Sequence, residues 1–219
     1  MTTRLNIVLI GKTGNGKSDT GNSIIDEKGF GFSDASYSKT TRVDVRTSII
    51  GPYNIRVVDT PGLRETRFLE SSPGRMLDYL KTALSVCHDE IHLFLVVLIF
   101  GNPFEAEDLG VVKDLFKSDN ADEMWKRTAV LFTHGREFEM RYGNSPRAFQ
   151  SWCKAQTGEL GKLLKSVYYR CLLFENLQPD QQRKQEQQQE VLNMANDVRM
   201  KEGPFTAEVL KEPSCCNIL

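Results

Sequence analysis

Apolar and polar positions alternate along this chain in two textures. Short, β-branched apolar runs occur at LNIVLI (5–10), RVDVRTSII (42–50), NIRVVDT (54–60), IHLFLVVLI (91–99), TAVLFT (128–133) and VYYRCLLFE (167–175). Between them the apolar residues recur at helical spacing over 17–26, 74–87, 105–116, 146–157, 159–165 and 180–201. Runs that are apolar at nearly every position read as strands covered on both faces. Their alternation with helices predicts an α/β fold with a mostly parallel six-stranded sheet and helices on both faces. RVDVRTSII followed by GPYNIRVVDT reads as a hairpin, so one edge strand is expected to be antiparallel. Asn144-Ser145-Pro146 combines a capping side chain with Pro early in a helix.

The segment 181–189 is polar and rich in Gln, and it reads as the solvated face of a helix. Val191, Leu192, Met194 and Val198 supply an apolar stripe that docks this helix on the domain. Order is expected to fade after Gly203-Pro204. The expected division is therefore one domain over 1–202 and a flexible tail over 203–219.

Composition narrows the partners. Hydrophobic residues make up 40% of the chain, ample for a core, and 28 Lys and Arg against 29 Asp and Glu leave a formal charge of −1. A phosphate-tracking surface needs a cationic excess, so nucleic acid is not an expected partner. The opening residues MTTRLNIVLI lack the cationic, apolar and small-residue sequence of a signal peptide. The run Ile91–Phe100 is about half the roughly 20 residues of a membrane-spanning helix and reads as a central strand. Five cysteines without a secretory signal imply neither a disulfide framework nor a zinc site.

The strongest local chemistry lies in IVLIGKTGNGKSDTG, where G-x-x-x-x-G-K-S follows an apolar strand and opens a helix. Glycines there let the backbone N–H groups of Gly11, Lys12, Thr13, Gly14, Asn15 and Gly16 turn into one concavity, and the helix start adds partial positive charge. Lys17 is placed to reach β- and γ-phosphates, Ser18 to bind Mg²⁺, and Asp19 follows in the first turn. A second element, VVDTPG, puts Asp59 at a strand end, where it can hold Mg²⁺ through water, and Gly62 where its N–H can meet a γ-phosphate. The polar stretch from Gly29 to Thr41, which includes Ser33, lies between the two. Thr40, with Thr41 as the substitute, is the residue expected to close over Mg²⁺ and the γ-phosphate.

These three elements in this order look like a GTPase of the translation-factor-related class. GNSI at 21–24, the segment DTPGLRET…LDYLKTAL, the run HLFLVVLIFGNPFEAEDLGVVKDLF and AVLFTHG together resemble the immunity-associated GTPases, the GIMAP or AIG-type family, over about residues 5–178. The resemblance implies a septin-related P-loop G domain that binds GDP and GTP with Mg²⁺. It also implies a homodimer or GTP-dependent oligomer formed through the nucleotide face. The box after the fourth strand, with its Gly and short acidic stretch, matches Gly101 to Asp108.

The guanine-reading element departs from the usual pattern. Most GTPases carry N-K-x-D after the fifth strand, and the resembled family often has T-H-G-D or T-R-K-[DE]-D. Here the stretch reads Thr133-His134-Gly135-Arg136-Glu137. His134 can lie flat on the purine. Arg136 stands where a carboxylate is usual, and an Arg has donors only. Either the loop shifts so that Glu137 accepts the guanine N–H groups, which is the favoured reading, or selectivity is weakened. After the sixth strand Asn176 matches the family's base-contacting Asn, while Glu175 is a departure and a second candidate acceptor.

Catalysis is expected to be slow. Many small GTPases orient the attacking water with a Gln after the DxxG glycine, and this chain has Leu63 there. Some relatives complete the site across a dimer with an Arg from the box after strand four, where this chain has Ile99 and Asn102. Arg64 or Arg67 could substitute, against the favoured reading of both as ordinary surface arginines. The alternative is a nucleotide-gated scaffold with negligible turnover. The last four residues, Cys216-Asn217-Ile218-Leu219, form a C-a-a-X pattern whose terminal Leu suggests geranylgeranylation, and Cys215 is a candidate for palmitoylation. The expectation is a cytoplasmic protein held on a cytosolic membrane face.

Overall fold

The computed structural model describes residues 2–26, 43–60, 75–105, 112 and 121–209, with the backbone alone for 75–77. Thr40, Thr41, Ser33, Gly62, Leu63, Arg64, Arg67, Cys215 and Cys216 lie outside the described residues. So does most of the helix expected over 105–116.

Six strands form one sheet in the order β2-β3-β1-β4-β5-β6. They are β1 (Thr3–Ile10), β2 (Asp44–Ile50), β3 (Tyr53–Asp59), β4 (Leu93–Ile99), β5 (Thr128–Thr133) and β6 (Cys171–Leu173). β2 runs antiparallel to β3 at the edge, and every other pairing is parallel. This is the expected α/β sheet, antiparallel edge included. The helices are α1 (Lys17–Ile25), α2 (Arg75–Val86), α3 (Ala121–Lys126), α4 (Gly135–Tyr142), α5 (Pro146–Ala155), α6 (Gly158–Ser166) and α7 (Gln181–Glu202).

Two cores follow from the period-two geometry of the central strands. Leu5, Ile7 and Leu9 of β1 with Leu93, Leu95 and Val97 of β4 face α1 and α7, burying Ile24, Ile25, Val191, Leu192 and Val198. The alternate residues Val8, Ile10, Phe94, Val96 and Leu98 face α2, α4, α5 and α6. A strand buried on both sides has no polar face, which is why these runs are apolar throughout. Cys87, Cys153 and Cys171 are buried free thiols, in keeping with structural roles.

Four features correct the expectations. Strand β6 is only three residues long, because Tyr168 and Tyr169 adopt left-handed conformations at φ 55° and 56° and turn the chain out of α6. Helix α4 begins at Gly135, inside what reads as a polar loop, with Phe138 fully buried. Its signal was the i, i+4 pair Phe138 and Tyr142 before Gly143. Glutamines of α7 are not all solvated: Gln188 Nε2 donates to Ile24 O at 2.8 Å, and Gln187 Oε1 accepts from Glu175 N at 3.3 Å.

The fourth correction is the tail boundary. The structured chain continues past 202: Phe205 is fully buried, stands edge-on to Phe94 at 5.3 Å between centroids, and exchanges two backbone hydrogen bonds with Ile91. The Arg127 guanidinium holds this exit by donating to the carbonyls of Glu202 and Gly203.

Candidate functional site

The phosphate-loop residues lie at the carboxyl end of β1, in the crevice where open α/β sheets bind ligands. The loop's apex, Thr13 and Gly14, is exposed. Gly11 approaches β4 so closely that a Cβ there would stand 2.6 Å from Val97 O. Gly16 adopts φ 86° and begins α1 without a capping side chain; a Cβ on it would meet Asn176 Nδ2 at 3.1 Å. These contacts add to the positive φ of both residues in requiring glycine there. Asn15 Nδ2 donates to Val97 O at 2.8 Å, and Thr133 Oγ1 lies 3.2 Å from Asn15 O, so β4 and β5 both brace the loop.

Lys17 folds back over this loop, donating from Nζ to Lys12 O at 3.1 Å, and is nearly buried. Beside it, Ser18 Oγ donates to Asp59 Oδ2 at 2.6 Å. Asp59 ends β3, is 1% exposed, and its second oxygen, Oδ1, is buried with no hydrogen-bond partner among the described residues. Burial raises its pKa, as do Asp44 and Asp19, whereas the Ser18 hydrogen bond and the charge of Lys17 lower it. An orphaned, desolvated carboxylate oxygen next to a serine hydroxyl is the donor set that a hard divalent cation satisfies. Ser18 and Asp59 therefore fit Mg²⁺. Asp19 stands in the first turn of α1, its own pKa raised by partial burial.

The loops after β5 and β6 meet at the other end of the crevice. His134 takes a left-handed conformation, φ 61° and ψ 42°, and its side chain is exposed. Gly135 N then donates to Phe174 O at 2.9 Å, and a Cβ on Gly135 would lie 3.1 Å from that same oxygen. A glycine is needed because α4 starts directly against the end of β6. Arg136 points its side chain to solvent, while its backbone N–H donates to Glu175 Oε2 at 3.2 Å. Glu175 Oε1 also accepts from Leu177 N at 3.1 Å.

Glu137 lines the same cavity as Glu175 but has different partners. Its carboxylate pairs with Arg141 at 3.4 Å and approaches His134 at 3.5 Å, over Gly101. Asn176 turns toward α1: its Nδ2 donates to Thr20 Oγ1 at 3.2 Å and Gly16 O at 3.4 Å, and its Oδ1 accepts from Ser23 Oγ at 3.3 Å. Ser18 and Asp59 thus meet beside the phosphate loop, Asn176 joins the start of α1, and Glu175 and Asn176 line one cavity with Asp19. Glu137 and Glu175 both line a neighbouring cavity with His134 and Arg136.

A glycine-lined loop that joins a central parallel strand to a helix, with Lys17 inside it and a Ser–Asp pair alongside, defines a P-loop nucleotide-binding domain. The AIG1 family model matches residues 5–216, and the chain belongs to that family. It is 31% identical to immune-associated nucleotide-binding protein 9 of Arabidopsis thaliana over 94% of this chain and 59% of that protein. Against the mouse (Mus musculus) GTPase IMAP family member 8 it is 33% identical over 59% of this chain and 18% of that protein. Among solved structures, Toc33 of Arabidopsis thaliana in complex with Mg²⁺ and GMPPNP superposes with a TM-score of 0.63 at 18% identity, covering 94% of this chain and 88% of that one. Another structure, whose subject is the importance of dimerisation for the GTPase activity of atToc33 and psToc159, gives 0.61 at 19% identity and covers 91% and 84%. At such identity the likeness shows the fold.

Proposed function

We propose that this chain is a guanine-nucleotide-binding G domain that takes GTP and GDP with Mg²⁺, hydrolyses GTP slowly, and pairs through its nucleotide face in the GTP state. The observation that carries the reading is the buried Asp59 Oδ1, without a hydrogen-bond partner among the described residues, beside Ser18 at the mouth of the phosphate loop. Backbone amides of residues 11–16 cradle the phosphates, and Lys17 moves from Lys12 O to the β- and γ-oxygens. Ser18 and Asp59 would hold Mg²⁺, which when bound would supply charge neutralisation to the phosphates. Thr40 and Gly62, which lie outside the described residues, are the residues expected to complete the γ-phosphate contacts.

Membership of a family with relatives named GTPase and nucleotide-binding protein supports this assignment. Dimerisation draws support from the fold shared with Toc33, whose relationship between dimer and activity is the subject of one of the solved structures. Leu63 favours a second reading, a nucleotide-gated scaffold with negligible turnover, because leucine cannot orient water.

Single-turnover hydrolysis measured against protein concentration decides between them. A rate constant that climbs with concentration is the expected result. A flat, near-zero rate accompanied by GTP-dependent dimers replaces the hydrolase with the scaffold.

The proposal extends to the membrane. Where Cys216-Asn217-Ile218-Leu219 forms the protein's own carboxyl terminus, a prenylated Cys216, assisted by palmitoylated Cys215, would tether the domain to a cytosolic membrane face, since a single chain gives only marginal binding. Cys216→Ser is expected to shift the protein from the membrane to the soluble fraction of cells. Unchanged fractionation removes the anchor from the proposal.

A further inference from the structure

Guanine differs from adenine by presenting two adjacent donors, N1–H and N2–H₂, so a site that prefers it needs a carboxylate or equivalent acceptor at the base. Glu137 and Glu175 line one cavity with His134 and Arg136, and they differ in the partners that hold them. The Glu137 carboxylate is drawn by Arg141 toward Gly101, at the loop following β4. Glu175 stands between the loops that follow β5 and β6 and is hydrogen-bonded to both, through Arg136 N and Leu177 N. Its sequence neighbour Asn176 is tied to Gly16 and Thr20, where the phosphate loop passes into α1. Consecutive Cα atoms are about 3.8 Å apart, so Glu175 is one residue removed from the loop that holds the phosphates.

The geometry points to Glu175, not Glu137, as the guanine-specifying residue of this chain. The inference rests on the nucleotide-binding reading above and names the base-recognition element within it. An ionised carboxylate offers about four lone-pair sites. The amides of Arg136 and Leu177 occupy two, and the remaining two match the paired donors of guanine. Those same amides fix the carboxylate's orientation in advance, and Gln187 steadies the backbone beneath it by accepting from Glu175 N. On this account Arg136 needs no carboxylate of its own. What it contributes is a main-chain N–H, which any residue except proline supplies, so the unusual Arg in the β5 loop carries no penalty for guanine binding.

The test is calorimetry on the full chain with magnesium and three nucleotides: GDP, xanthosine diphosphate and ADP. Xanthine carries an oxygen where guanine carries its exocyclic amine, so a glutamine can donate to the one where a glutamate accepts from the other. Glu175→Gln is expected to weaken GDP on the order of thirtyfold, to shift the preference toward xanthosine diphosphate, and to leave ADP, which reads the phosphate contacts, within about twofold. Glu137→Gln is expected to keep the ratio of GDP to xanthosine diphosphate.

Reversal of those two results overturns the assignment, as does equal weakening of all three nucleotides by Glu175→Gln, which would make Glu175 a loop brace only. If Glu175→Gln fails to fold, Glu175→Asp serves: it is expected to keep the preference for GDP at roughly tenfold lower affinity, and a switch to xanthosine diphosphate contradicts the proposal. The underlying reading fails differently, by an unaltered protein that binds none of the three.

Discussion

Lys17→Ala is expected to lower affinity for GDP and GTP by about 4 kcal/mol, roughly a thousandfold, in a calorimetric titration. The estimate follows from losing two charge-assisted hydrogen bonds to phosphate oxygens, each worth about 1.5–3 kcal/mol. The backbone cradle and the start of α1 remain in such a variant, so the loss isolates the ammonium. It also removes one of the two influences that lower the pKa of Asp59, leaving burial to act with less opposition. Near-normal affinity in this variant would mean that the loop over 11–18 does not hold phosphate, and the nucleotide assignment would go with it.

The second large effect concerns the far end of the sheet. Phe205→Ala is expected to destabilise the domain by about 3–5 kcal/mol in denaturant unfolding, the range for a large aromatic deleted from a packed core. Phe205 fills a site against Phe94 and Ile91, and Arg127 directs the chain there through the carbonyls of Glu202 and Gly203. This contact lies at the start of β4, whereas the phosphate loop sits at the carboxyl ends of the strands. Nucleotide affinity of the folded variant should therefore stay within about twofold. A cost below about 1 kcal/mol would return the segment after Gly203 to the status of a loose tail.

These two sites were unequally legible. The phosphate loop is contiguous: strand, glycine turn and helix start are neighbours in the chain, although Gly11 and Gly16 also meet Val97 and Asn176 from distant segments. Asp59 was legible for a related reason, because it ends an apolar run whose length and register put it beside β1. Phe205 was not. Its partners are more than a hundred residues away, and nothing near Gly203-Pro204 distinguishes a buried phenylalanine from one in a tail. The start of α4 was hidden because Gly135 is a poor helix former, and only its fit against Phe174 explains why it is there.

The orientation of the two glutamates is the sharpest case. Read along the chain, Glu137 is one place past the usual acceptor and so the natural candidate, while Glu175 belongs to a different loop. In space the order inverts, because helical geometry carries Glu137 onto the Arg141 side of α4, whereas the amide of Arg136 reaches Glu175. The same holds for Gln187 and Gln188, which look like solvent-facing polarity until α7 packs beside α1.

The sequence by itself determined the sheet, its antiparallel edge, the two-sided core and the phosphate loop with its Ser and Asp, because these depend on periodicity and on residues close in the chain. Tertiary structure alone decided which partners hold each carboxylate, which glutamines are used, and that Phe205 packs in the core. Those outcomes depend on contacts between segments far apart in sequence, and periodicity within a segment carries no information about the direction its neighbours approach from.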